Sequence, residues 1–218
     1  MMKITLRHFL LLLFFTASVI NIFGVATDHQ MMMRFSKPLI IPLLLLNVLF
    51  SSSNIPKTYY LALIFSFLGD VFLMFEGPNY FLSGIGSFLI TQISFSIILF
   101  PSLKQSNLKN RILGTMLFGS YLFIFLAYMY PELGDFKIPV IIYGLTISIF
   151  GFLAFQTWRL NSRYINILTG AAFFIISDSM IALNSFYYHE KVFGYWVMLT
   201  YVIAQFLISR FIIQRFPK

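Results

Sequence analysis

The stretch TYYLALIFSFLGDVFLMF, residues 58–75, carries a single charge, Asp70, in eighteen residues. As an α-helix it would measure about 27 Å, close to the roughly 30 Å of hydrocarbon in a bilayer. An aspartate well inside that hydrocarbon costs about 2.5–3.5 kcal/mol on insertion scales, so the helix must turn Asp70 toward a bundle interior or a wet cavity. The segment therefore predicts a transmembrane helix with a polar purpose.

The pattern recurs along the chain. Cutting the apolar runs at charges, prolines and glycines gives eight candidate spans, at 9–26, 37–50, 58–75, 80–100, 112–130, 137–156, 164–187 and 192–211. Eight spans with short loops use up the 218 residues and predict one polytopic domain over 1–218, with no soluble appendage of domain size. Only 10% of residues are charged and 59% are hydrophobic, against about 25% charged in a soluble domain, which excludes a water-soluble fold. The fold class is thus an all-α bundle of about eight transmembrane helices. Lys3 and Arg7 ahead of the first run resemble a signal peptide, but no small-x-small cleavage site follows, and the segment is retained as a span. The second span is the shortest. Its Pro38 and Pro42 suggest entry through an N-terminal proline turn, with Lys37 at the outer surface.

Eight spans with a cytoplasmic N-terminus put both termini in the cytoplasm. The inner segments then hold Lys3, Arg7, Lys57, Lys104, Lys109, Arg111, Arg159, Arg163, Arg210, Arg215 and Lys218. Arg34, Lys37, Lys137 and Lys191 lie outside with all five loop acids, Asp28, Glu76, Glu132, Asp135 and Glu190. This is a positive-inside distribution, and it accounts for the net charge of +8 without a nucleic-acid partner. Membrane lipids are the expected surroundings, and a basic face for anionic headgroups is compatible with them. The absence of N-glycosylation sequons, cysteine and a retention signal leads us to expect a bacterial inner membrane. The oligomeric state is left open.

Two carboxylates remain within apolar sequence, Asp70 and Asp178. Each lies about three residues outward of the middle of its span, or roughly 5 Å from the midplane, so a shared site is allowed. Gly69, Ser177 and Ser179 beside them permit close helix approach. Lys37 is a candidate phosphate ligand or an interfacial anchor. Asn47, Gln92, Asn184 and Gln205 are neutral groups able to orient a carboxylate or to bond across helices, and Asn184 falls off the face of Asp178. Tyr59, Tyr60, Tyr80, Tyr128, Tyr130, Tyr187, Tyr188, Tyr195 and Trp158 read as an interfacial belt. With no cysteine and three scattered histidines, neither a metal nor an organic cofactor is expected, and no phosphate-loop, nucleophile-elbow or dinucleotide motif occurs. Lys37-Pro38 against Lys137-x-Pro139, Asp70 against Asp178, and Gln92 against Gln205 recur four spans apart. That spacing suggests two parallel four-helix repeats with a site between them.

The segments Phe65-Ser66-Phe67-Leu68-Gly69-Asp70-Val71-Phe72-Leu73-Met74, Lys37-Pro38 with Pro42, Gly84-Ile85-Gly86-Ser87-Phe88, Ser177-Asp178-Ser179 and Thr200-Tyr201-x-x-Ala204-Gln205 together resemble the YhhN-like lysoplasmalogenase family over roughly residues 35 to 210. The resemblance implies a membrane hydrolase that acts on a lysophospholipid. Its reaction would cleave the vinyl ether of a lysoplasmalogen to a fatty aldehyde and a glycerophospho-base. One position departs from it, since Gln92 stands where the fourth-span motif leads us to expect histidine.

Vinyl ether hydrolysis needs a neutral acid to protonate the alkene carbon distal to oxygen. A carboxyl in low dielectric suits that role, and a second carboxylate could stabilise the oxocarbenium and activate water. Asp178 is assigned as acid and Asp70 as stabiliser or base. Lys37, Gln92, Ser177 and Gln205 are assigned to substrate binding. Two alternatives use the same residues: a proton- or cation-coupled transporter or lipid-binding protein, and a structural protein in which both aspartates hold helices together.

Overall fold

The computed structural model describes residues 2–217, with side chains from residue 6. The side chain of Lys3 and the whole of Lys218, both assigned to the inner face, lie outside the described residues. Eight α-helices make up the described chain: α1 (Met2–Ala26), α2 (Gln30–Ser51), α3 (Lys57–Phe72), α4 (Pro78–Gln105), α5 (Leu108–Met129), α6 (Lys137–Leu160), α7 (Ile165–Leu183) and α8 (Lys191–Arg215). Short 3₁₀ turns lead into α6 and α7, and a π-helical turn, Asn184–Tyr188, extends α7.

Seven of these helices, all but α3, are long and apolar enough to cross a membrane. The second span is therefore not the short one. His29 caps α2 by accepting from the Met32 N–H at 3.4 Å, and the helix continues through Pro38 and Pro42. Both prolines are interior, which replaces the expected proline turn. Lys37 lies seven residues beyond Gln30, about 10 Å down the helix from its first residue. Conversely, α3 stops at Phe72, where the Leu73 N–H turns back to the Gly69 carbonyl at 3.0 Å. The chain then reverses through Gly77, whose φ of 121° favours glycine, into Pro78 at the start of α4. Asp70 thus sits in the last turn of a 16-residue helix, farther out than a full-length span implies.

Six helices close a ring in the order α2, α3, α4, α6, α7, α8 and back to α2, while α1 packs on α2 and α8 and α5 packs on α6. A shift of four helices maps this ring onto itself, as parallel repeats require. The halves differ in two respects. The α2 to α8 contact is sparser than its equivalent between α4 and α6, and α5 is peripheral, burying little beyond Asn110, Gly114 and Met129.

The ring interior is aromatic. Phe95, Phe150 and Phe174 are fully buried and meet with centroids 5.3–6.3 Å apart, and Phe88 and Tyr201 join them edge-on. Tyr59 belongs to this core rather than to the interfacial belt, with no exposure and its ring 6.0 Å from Phe95. Contacts at the two ends agree with an alternating path. At one end Asn47 donates to the Arg7 carbonyl, Ser52 and Asn54 donate to Phe216 and Pro217, and Arg215 reaches Ser102. At the other, Lys191 pairs with Asp28 and Tyr187 donates to the Tyr128 carbonyl.

Candidate functional site

A cavity of about 300 Å³ lies among α3, α4, α7 and α8, with Lys37 of α2 also on its wall. Its lining runs from Phe75, Gly77, Asn184, Ser185 and Gly194, near the end where α3 turns into α4, to Lys37, Asp70, Asp178 and Tyr201 deeper in the bundle. Both sequence-nominated carboxylates are therefore in one place. They are 3% and 6% exposed, which leaves them almost no water of their own.

The close packing of α3 on α4 positions Asp70. A Cβ on Gly69 would lie 2.7 Å from the Phe88 ring, so only glycine lets that ring cover the neighbouring backbone. From α8, the Tyr201 hydroxyl donates to Asp70 Oδ2 at 2.8 Å. One turn inward, Ser66 accepts from Gln205 Nε2 at 3.0 Å and donates to Thr91 Oγ1 at 3.3 Å, and Thr91 donates to the Ala62 carbonyl. This buried network joins α3, α4 and α8 behind the carboxylate.

Asp178 is held on one oxygen. Gln92 Nε2 from α4 donates to its Oδ2 at 2.9 Å, and the Tyr143 hydroxyl from α6 donates to the same atom. Neither donor reaches Oδ1. Next to it, Ser177 lines the cavity but directs its hydroxyl to the Val197 carbonyl at 3.1 Å, tying α7 to α8. Gln92 and Gln205 are not part of the cavity wall. Each stands behind a carboxylate site, so the glutamine at the position where histidine was expected is a hydrogen-bond donor to Asp178. Asn184 does line the cavity, although it lies six residues beyond Asp178. Asn184 opens the π turn, and its Oδ1 accepts from the Glu190 N–H at 2.7 Å.

Lys37 comes in from α2. It faces Asp70 electrostatically but forms no ion pair within 4 Å and no hydrogen bond among the described residues. A half-buried ammonium that has not closed onto the adjacent carboxylate is able to take an anion. No group of three or more His, Asp or Glu suited to a metal occurs among the described residues.

Tyr143 is not among the residues nominated from the sequence, and Tyr201 enters there only within the motif Thr200-Tyr201-x-x-Ala204-Gln205, without a site role. The available signal was position, because both lie well inside spans rather than at the ends where belt tyrosines sit. The equivalence of the halves extends to the site: Asp70 on α3 is bonded from α8, and Asp178 on α7 is bonded from α4.

These features define a multi-pass helical membrane protein with two buried carboxylates and a lysine around one cavity. The YhhN family model matches residues 32–212, and the chain belongs to that family. Among curated proteins it is 29% identical over 157 residues to a Bos taurus protein named lysoplasmalogenase TMEM86A, and 31% identical over 152 residues to the Homo sapiens protein of that name. Each match covers 67% of this chain and 61% of the relative, so the chain spans about three-fifths of the length of the curated relatives it matches. No solved structure gives a significant match.

Proposed function

We propose that the protein is a membrane hydrolase that cleaves the vinyl ether bond of lysoplasmalogens, releasing a fatty aldehyde and a glycerophospho-base. The observation that carries this reading is the grouping of Asp70, Asp178 and Lys37 around one cavity in a chain whose relatives are named lysoplasmalogenases. Lys37 takes the substrate phosphate, and Ser177 and the outer cavity wall surround the glycerol.

Asp178, whose bonding partners are neutral, serves as the acid. Its Oδ2 accepts two hydrogen bonds, so its proton is carried on Oδ1 and passes to the alkene carbon distal to oxygen. The resulting oxocarbenium lies against Asp70, steadied by Tyr201 and facing Lys37. Asp70 then takes a proton from the water that adds to the cation. The hemiacetal collapses to aldehyde and alcohol, and a proton returns from Asp70 to Asp178 through the cavity. Gln92 and Gln205 act as positioning residues.

The test is aldehyde release by detergent-purified protein from an alkenyl lysophospholipid, with saturated alkyl and acyl analogues in parallel. Release from the alkenyl lipid alone is expected. Fatty acid from the acyl lipid with no aldehyde would make the protein a different lipid hydrolase.

A further inference from the structure

Few side-chain donors on the wall of the cavity are still free. Of its hydroxyls, Ser177 donates to the Val197 carbonyl and Tyr201 donates to Asp70. What is left among the described residues is the Lys37 ammonium together with Asn184 and Ser185, which open the π-helical turn. Asn184 Oδ1 accepts from the Glu190 N–H at 2.7 Å, and only the oxygen of a side-chain amide can accept. That bond fixes which way round the amide stands. It leaves Nδ2, a donor with no hydrogen bond among the described residues, as the half of the amide available to the cavity. The exposed Ser185 hydroxyl beside it makes no hydrogen bond among the described residues either.

We propose that Asn184 and Ser185 form, with Lys37, a clamp that receives the phosphodiester of the substrate's head. Charge favours this placement. Asp70 and Asp178 lie deeper in the bundle, and the ionised carboxylate that the proposed reaction needs repels a phosphate, so the anion is favoured toward the end where α3 turns into α4. Length favours it as well. Asn184 lies six residues beyond Asp178, about 9 Å along α7 and into the turn. The three carbons of glycerol put the phosphorus about 6 Å from the ether oxygen. A phosphate at the π turn therefore leaves the reacting bond near Asp178, with its oxygens accepting from Asn184 and Ser185 while the ammonium supplies the charge. The part of the clamp in the reaction rests on the proposed vinyl ether chemistry, whereas binding of the phosphate stands without it.

Asn184→Asp separates holding the turn from holding the phosphate. An aspartate keeps an oxygen for the Glu190 N–H, but it has no donor and carries a negative charge. The probes are a hexadecyl lysophosphoethanolamine, which has no vinyl ether to hydrolyse, the matching hexadecylglycerol, which has no phosphate, and inorganic phosphate. Binding is read as thermal stabilisation of the purified protein in titrations. Wild-type protein is expected to bind the lysolipid more tightly than the alkylglycerol. Asn184→Asp is expected to weaken the lysolipid about 10-fold to 100-fold and to leave the alkylglycerol within about twofold. Ser185→Ala is expected to weaken the lysolipid about threefold to tenfold. It carries the test alone if the aspartate variant does not fold, since the serine side chain has no hydrogen bond among the described residues to lose. Wild-type affinity for the lysolipid in the folded variants overturns the clamp. Equal weakening of the lysolipid and the alkylglycerol also overturns it, because the turn then holds the glycerol. Inorganic phosphate that stabilises as strongly as the lysolipid makes this a free-anion site and overturns the lipid assignment. Failure of the wild type to release aldehyde, with the binding profile as expected, removes the vinyl ether chemistry and leaves the clamp standing.

Discussion

Asp178 receives both of its donors on Oδ2, so the role of its two oxygens is unequal and Tyr143 matters through the proton it does not surrender. Removing that hydroxyl leaves Gln92 in place and loosens the carboxyl without discharging it. Tyr143→Phe is expected to lower kcat about 10-fold to 100-fold with KM nearly unchanged, within the range of a general acid losing its orientation. An equal loss in KM alone would instead make Tyr143 a binding residue. Lys37 predicts the opposite split. Lys37→Gln should raise KM for the lysophospholipid about 10-fold, the order of one charge-assisted hydrogen bond, and leave kcat largely intact. An unchanged KM would remove the phosphate from this position. The two aspartates were legible from sequence because a carboxylate in an apolar run has a cost that demands a reason. The tyrosines were not, since a hydroxyl on an aromatic ring costs little in a span and the same residue type serves as an interfacial anchor. The partners of Gln92 and Gln205 were likewise hidden, because a side-chain amide shows that a bond is made across helices and not to which helix.

Helix number could be read from hydropathy, but helix ends could not. The start of α2 is set by a His29 cap upstream of a methionine-rich segment, and prolines that signal a turn are carried inside the helix instead, which is why Lys37 lies about 10 Å deeper than its position at the edge of the apolar run suggests. At the opposite edge of the site, the reversal through Gly77 shortens α3 and brings Asp70 into its last turn. Contact between α3 and α4 depends on Gly69. Gly69→Val would drive a Cβ to 2.7 Å from the Phe88 ring, and overpacking of this kind costs about 1–3 kcal/mol. A clear drop in Tm together with lost activity is expected. Gly86, where an added Cβ meets nothing within 4 Å, is the matched control, and Gly86→Ala should leave Tm within a few degrees of the wild type.

The six-membered ring places one carboxylate in each half, Asp70 bonded from α8 and Asp178 from α4, so the halves complete each other's site. The repeat was legible as matching pairs four spans apart. Its divergence was not: the lysine of the first half reaches the cavity from α2, whereas Tyr143, not Lys137, reaches the second carboxylate from α6. The alternating path also makes a prediction about the whole chain. The protein contains no cysteine, so single cysteines introduced at Asn54 and at Glu132 report topology without background. A membrane-impermeant maleimide applied to intact cells should label the Glu132 position and spare Asn54 until the membrane is opened. Labelling of both from one side would break the eight-helix path. The most direct test of the central claim, that two carboxyls sharing a cavity perform one hydrolysis, is aldehyde release from an alkenyl lysophospholipid by Asp70→Asn and Asp178→Asn, each shown to be folded by its melting curve. Both variants are expected to lose at least about 100-fold in kcat, the lower range for a missing general acid or base. Wild-type turnover in either folded variant would contradict the account.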